Sequence, residues 1–400
     1  MSRALAAGLA LSLLAAVPAH AQQRKSGPDA DLGAKREVSP DASLQGKLEG
    51  KRKEEAPAGP KVAFEQFRKV TEVKISEKRA EEIASLRKLI ELGGGDEADM
   101  PQWYFRLAEL LWEESQYYFF ESNRRDDQLI ALGTRGDPRE IDRLMAEKKE
   151  LEAQTQKLQI QAVALYKAII SKYPSYPRLD EVLYFLAENL TRRNRNDPEA
   201  LKAYRALITK FPNSRYVPDC WMAFGEYYFE RSSTADRVGN LKKALEAYQK
   251  AATYQESNVY GYALYKQGWV HYNLNEHEQA MDMFRAVIYF GELPTSTVPA
   301  EKKLALVKEA RKDYVRTYSH VGRPEGAQED FKRVGGENFW WEMLRNLADI
   351  YYGDAKDPAA IIVYARLIRE RPLSIEAPYF QSRIVTSAGP MGRKEDGFGQ

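Results

Sequence analysis

The side chains able to do chemistry are few, and their spacing speaks against catalysis. Apart from His20, the chain holds His271, His277 and His320, and none stands at metal-ligand spacing from a cysteine or a carboxylate pair. Cys220 is the single cysteine, so it can form no internal disulfide, and its neighbours Trp221 and Met222 argue for a packed thiol rather than a reactive thiolate. Gly93-Gly94-Gly95 ends an apolar helical run instead of opening a helix after a strand, which excludes a phosphate-cradling loop. Glutamates are plentiful, and a helical cell-wall enzyme with a buried Glu as general acid is the rival reading, but no Glu has a distinctive catalytic context. The expectation is a non-enzymatic protein with no catalytic residue, no metal and no cofactor.

What remains is the chemistry of recognition. Lys plus Arg number 60 against 58 Asp plus Glu, a formal charge of +2, so the bulk charge points to ordinary protein surface as partner and not to nucleic acid. Trp221, Phe224, Gly225 and Tyr228 keep a spacing that recurs at Leu344, Leu347, Ala348 and Tyr351. There it is followed by Ala360, Tyr364, Leu367 and Pro372. Leu183, Leu186, Ala187 and Leu190 lead in the same way to Ala200, Tyr204, Leu207 and Pro212, and Leu264, Gly268 and Tyr272 lead to Ala280, Phe284 and Val287. In each unit a small residue lets one helix approach a second, whose aromatic fills the space beside it. Leu186, Ala187, Tyr204, Trp221, Phe224, Gly225, Tyr228, Gly268, Phe284, Leu347, Ala348, Tyr351, Ala360, Tyr364 and Pro372 are therefore assigned to packing within and between units.

This pattern resembles the tetratricopeptide repeat. The resemblance implies an all-α solenoid of about five to six stacked antiparallel helix hairpins, since one hairpin cannot bury its own apolar stripe. Residues 1–21 read as a signal peptide cleaved after Ala21, with Arg3, an Ala/Leu run and Ala19-His20-Ala21; export to the periplasm follows, with neither a transmembrane nor a lipid anchor. Residues 22–60, including Lys51-Arg52-Lys53, read as a disordered linker. An N-terminal long helix is expected over 61–98 and an expanded first hairpin over 99–174, its first helix ending near Glu121 and a loop filling 122–137. Repeats should occupy 175–373, with the stretch from Glu301 to Gly335 degenerate because Asp313 falls where an aromatic is expected. A capping helix over 374–388 and a flexible tail over 389–400 complete the chain.

The hairpin ends Lys172-Tyr173-Pro174-Ser175 and Lys210-Phe211-Pro212-Asn213-Ser214 resemble those of bacterial envelope repeat proteins, the BamD and YbgF families. The helix from Trp103 to Trp112 is similar, more loosely, to that of periplasmic repeat proteins beside deltaproteobacterial gliding machinery. These resemblances imply a scaffold that binds one or more envelope proteins; a chaperone-like holder of exported or outer-membrane proteins is the alternative. They also imply which first-helix positions line a concave groove. Those positions hold Glu181, Tyr184, Glu188 and Thr191; Asp219, Met222, Glu226 and Phe229; Tyr262, Tyr265, Trp269 and Tyr272; and Glu342, Arg345, Asp349 and Tyr352. Two readings of the rings stand side by side: a hot-spot surface for a partner, or packing against the next hairpin. The carboxylates recurring beside them suit a segment bearing Lys or Arg, or else mark a solvated helix face. Tyr117 to Phe120 form a second candidate interface, and Trp340-Trp341 read as packing at a helix entry.

Overall fold

The computed structural model describes residues 61–93, 98–133, 136–234, 236–292 and 300–395; the signal peptide and linker expected over 1–60 lie outside them. The described residues form thirteen α-helices. They are α1 (Lys61–Leu92), α2 (Met100–Leu132), α3 (Pro138–Lys172), α4 (Leu179–Arg193), α5 (Pro198–Lys210), α6 (Val217–Arg231), α7 (Arg237–Ala251), α8 (Tyr260–Asn273), α9 (His277–Glu292), α10 (Ala300–Val321), α11 (Ala327–Gly353), α12 (Asp357–Glu370) and α13 (Ala377–Glu395). Neighbours in sequence pack as neighbours in space, α1 on α2 and then pair after pair to α13 on α12, which is the quasi-one-dimensional order of a solenoid. No described helix is long and apolar enough to cross a membrane.

Local sequence accounts for the helix boundaries. Asp137 and Asp197 cap α3 and α5 by accepting the backbone N–H of Arg139 at 3.0 Å and Glu199 at 2.8 Å, and a proline follows each cap, where its missing N–H costs nothing. One residue per second helix then sets the packing. Tyr166, Tyr204, Tyr248, Phe284, Phe331 and Tyr364 are all at most 1 % exposed. Opposite two of them the first helix carries glycine: a Cβ on Gly268 would lie 2.6 Å from Phe284, and one on Gly225 would enter the Tyr248 ring. Ala187, Ala348 and Ala360 are fully buried, Leu186, Phe224, Leu347 and Tyr351 are buried, and Trp221 and Tyr228 are half-buried against the same core. Pro372 lies on the surface just beyond the end of α12, a helix-terminating residue and not a packing one.

Three elements depart from the sequence expectation. The loop expected over 122–137 is largely helix, because α2 continues to Leu132. Its distal half lies along α3 through charge, with Arg125 Nε 2.9 Å from Glu147 and Lys148 Nζ 2.7 Å from Asp126, and few apolar residues mark that face in sequence. The unit from Glu301 to Gly335 is a full hairpin: Tyr314, Tyr318, Ala327 and Phe331 are buried, and Asp313 is 6 % exposed because it accepts the Tyr265 hydroxyl at 2.6 Å. Gly336 (φ +61°) breaks α11 into two helices, and the second begins the next hairpin with Trp340 in the core and Trp341 beneath the Arg371 guanidinium. Finally, α13 starts at Ala377 and runs to Glu395, past the end expected near Ser387 and into the stretch expected as tail.

Candidate protein-binding groove

Position 9 of the first helix, the residue after the small one, has a recurring partner. Tyr204 donates its hydroxyl to Glu188, Tyr248 to Glu226 and Tyr364 to Asp349, each at 2.7 Å. These carboxylates follow Ala187, Gly225 and Ala348, so the same close approach that admits the ring brings its hydroxyl to the acid. Burial, followed by the adjacent carboxylate, pushes all three tyrosine hydroxyls up. Where the second-helix ring is Phe284, which has no hydroxyl, position 9 is Trp269, and the two rings meet edge to face at 6.2 Å. The recurring acids are thus tied to buried hydroxyls and are not a plain solvated face. Tyr248→Phe should cost about 1 kcal/mol in urea unfolding, by removing the buried hydroxyl from Glu226 and leaving that carboxylate to Lys266 alone.

A cavity of about 430 Å³ opens over these acids between α4, α6 and α8. Among the residues assigned to the groove it brings together Tyr184, Glu188, Met222, Glu226 and Tyr262. Asp219 and Thr191, counted at the same register, line it too, and it adds Glu230, the rings of Tyr204 and Tyr227, and Arg195, which pairs with Glu230. Its lining holds four carboxylates and one guanidinium, and cations beside it pair with two of the acids, Lys266 at 3.0 Å from Glu226 and Arg192 at 3.8 Å from Glu188, which leaves Asp219 as the one without a cation among the described residues. Tyr262 is 42 % exposed, and Tyr184 stacks on Tyr216 at 4.3 Å, which holds that ring at the rim. Burial, with Glu188 adding to it, pushes the Asp219 carboxyl up to about 6. Tyr227 and Glu230 escaped the sequence reading, although Glu230 lies one turn beyond Glu226 on the same face.

Most of the other assigned residues are spent inside the fold. Tyr265 and Trp269 pack on Phe284, and Tyr265 is bonded to Asp313 of α10. Tyr272 reaches His320 Nε2 at 3.1 Å. Phe229 lies under Lys266 Nζ at 4.3 Å, and Arg345 pairs with Glu376 at 2.8 Å at the foot of α13. Met222, although it touches the cavity, is only 6 % exposed and contributes to the core with Leu241 and Tyr248. For Tyr265, Trp269 and Tyr272 the packing reading holds, because α9 and α10 supply their partners. In α2, Phe119 and Phe120 are each 45 % exposed and meet edge to face.

His271, His277 and His320 collect at the joint of α8, α9 and α10. His277 and His320 stack at 4.5 Å between ring centroids, and His271 Nδ1 lies 2.7 Å from Glu276. Among the described residues no cluster of three or more His, Cys, Asp or Glu is placed to hold a metal. Burial first, and then Lys356, hold His277 below its ordinary value; burial, then His277, Lys356 and Arg316, do the same for His320 against the opposing pull of Asp354. A lowered folded-state value means that the unfolded chain takes up protons first, so this joint contributes stability above the ordinary imidazole value and loses it as the pH falls. Unfolding temperatures measured from neutral to mildly acid pH should fall more steeply for the native chain than for His277→Phe, which keeps a stacked ring without a titrating group. Burial also pushes the Cys220 thiol up, in keeping with a packed, inert cysteine.

Residues 181–214 and 262–289 match the tetratricopeptide repeat family, and these segments coincide with α4 and α5 and with α8 and α9. No curated protein matches the chain. Among solved structures it is similar to a thermophilic tetratricopeptide protein of Thermus thermophilus, at 18 % identity over 59 % of this chain and 95 % of that one, with a TM-score of 0.27. It is also similar to the human IFIT1 dimer with PPP-AAAA, at 17 % identity over 84 % and 81 % of the two chains, with a TM-score of 0.24. Such scores carry no functional argument, and the fold rests on the matched repeats and on the ring-into-gap packing repeated from Tyr166 to Tyr364: the chain is an all-α tetratricopeptide-repeat solenoid of stacked antiparallel hairpins.

Proposed function

We propose that this protein is a non-enzymatic scaffold of a bacterial envelope complex, exported to the periplasm, that holds a Lys- or Arg-bearing segment of a partner protein in the cavity between α4, α6 and α8. The observation that carries the reading is the acidic, aromatic lining of that cavity, above all Asp219, a partly buried carboxylate with no cation paired to it among the described residues. Rings with polar edges supply rigid contact area, and an ammonium or guanidinium entering between them would meet both π faces and carboxylates. Tetratricopeptide arrays act through such surfaces without catalysis, and the leader-like residues 1–21 support the periplasmic assignment.

Asp219 allows the proposal to be tested with opposite signs in one variant. Its folded-state value of about 6 lies above the ordinary carboxylate value, so its ionisation opposes folding at neutral pH and the cost is relieved as the pH falls through 6. Asp219→Asn should therefore stabilise the free protein at pH 7.5, by ~1–2 kcal/mol in urea unfolding, while weakening capture of a cationic partner. Crosslinked pull-down from native envelopes, comparing the native chain with Asp219→Asn combined with Tyr262→Ala, reads the second half. A discrete partner set lost in the variant is the expected result. Equal capture by both would remove the cavity from the binding site, and indiscriminate capture of unfolded proteins would favour the chaperone-like holder.

A further inference from the structure

We infer that the cavity between α10 and the second helix of α11 is a separate anion-accepting site, which takes a Glu or Asp side chain of the bound polypeptide. It encloses about 270 Å³ and is lined by Lys308, Arg311 and Lys312 from α10, with Phe339, Glu342, Met343 and Asn346 facing them. Three cations thus stand against one carboxylate. Among the described residues neither Lys308 nor Arg311 has an ion-pair partner, and Lys312 has only the exposed Glu309 one turn away, at 2.8 Å. The Arg311 guanidinium lies 3.4 Å from the centre of the Phe339 ring, which fixes its plane and leaves its N–H edges available to an acceptor. Burial lowers the Arg311 value, partly offset by Glu342 and Glu292, so the arginine sits where a neutralising anion would be favourable.

The backbone adds to this field. Gly336 ends the first part of α11, and Phe339 stands in the first turn of the helix that restarts there, where unpaired N–H groups and the positive end of the helix dipole favour an anion. The ligand is assigned as a carboxylate and not as a phosphate because Glu342 shares the lining and would repel a doubly charged group, while Phe339 and Met343 offer apolar walls to a side-chain stem. Lys308 is exposed and has no ion pair among the described residues.

This site deepens the proposed function and rests on its reading of the partner as a polypeptide. An array with the unpaired Asp219 in one cavity and the unpaired Lys308 and Arg311 in the other selects a segment with two charge blocks: basic toward α4 to α8, acidic toward α10 and α11. The test uses the full mature chain and fluorescence anisotropy with two labelled probes, a Glu-rich peptide and a Lys-rich peptide, each spaced with tyrosines. Lys308→Glu, an exposed substitution that leaves the core intact, should weaken the Glu-rich peptide about tenfold or more without changing the Lys-rich one, and Asp219→Asn should do the reverse. Binding of the Lys-rich peptide alone would overturn this site and leave the proposed function standing; binding of neither would overturn both. Displacement of the Glu-rich peptide by inorganic phosphate at matching potency would overturn the assignment to a polypeptide carboxylate.

Discussion

Gly225→Ala is expected to destabilise the array by about 1–3 kcal/mol and Gly225→Leu by more, although either residue is the better helix former. Intrinsic propensity favours alanine over glycine in a helix interior by about 1 kcal/mol, so the expected loss must come from overpacking. The source is the Tyr248 ring, which occupies the space a Cβ would need. That ring cannot swing aside cheaply: it is fully buried, and its hydroxyl is held by Glu226. Gly353, at the end of α11, is the control, because a Cβ there meets nothing within 4 Å; Gly353→Ala should be neutral or slightly stabilising. Urea unfolding of the three variants checks the contrast. A Gly225→Ala chain as stable as the native one would contradict the helix register from α6 through α7.

Phe380→Ala should cost about 3–5 kcal/mol, with the loss confined to the C-terminal hairpin. Phe380 is fully buried and joins the last helix to its neighbours, lying 5.7 Å from Tyr364 and 6.4 Å from Trp341 between ring centroids. Without that contact the apolar side of α12, with Val363, Tyr364 and Leu367 all fully buried, would face water. A solenoid's stability is close to a sum of units and their interfaces, so the damage should fade within about one repeat. Hydrogen exchange would then show protection lost in α12 and α13 and kept in α4 to α7. Uniform loss along the chain would mean a single cooperative core in place of stacked units.

The hairpins were legible because the signal for each is local. A small residue, an aromatic about two turns into the next helix and a turn between them lie within some 34 residues, and the chain repeats the arrangement often enough to set the register. Where the spacing was stretched, legibility failed in a telling way. The distal half of α2 carries its stabilisation as ion pairs to α3, which leave no apolar periodicity to read. Asp313 looked like a defect in its repeat and is instead the acceptor of a hydroxyl from α8, a partner 48 residues away.

The groove divides along the same line. Sequence by itself determined the all-α repeat order and the buried ring of each second helix, since both follow from contacts inside one hairpin; that the acid after the small residue takes the ring's hydroxyl emerged only from the structure. Tertiary structure alone decided which first-helix faces stay open. Tyr184, Glu188, Glu226 and Tyr262 border the cavity between α4, α6 and α8, whereas Tyr265, Trp269 and Tyr272 are covered by contacts to Phe284, Asp313 and His320. Whether a residue at a given register position meets solvent depends on how far the next hairpin leans over it. That tilt is the sum of packing contacts distant in sequence, and no local spacing encodes it.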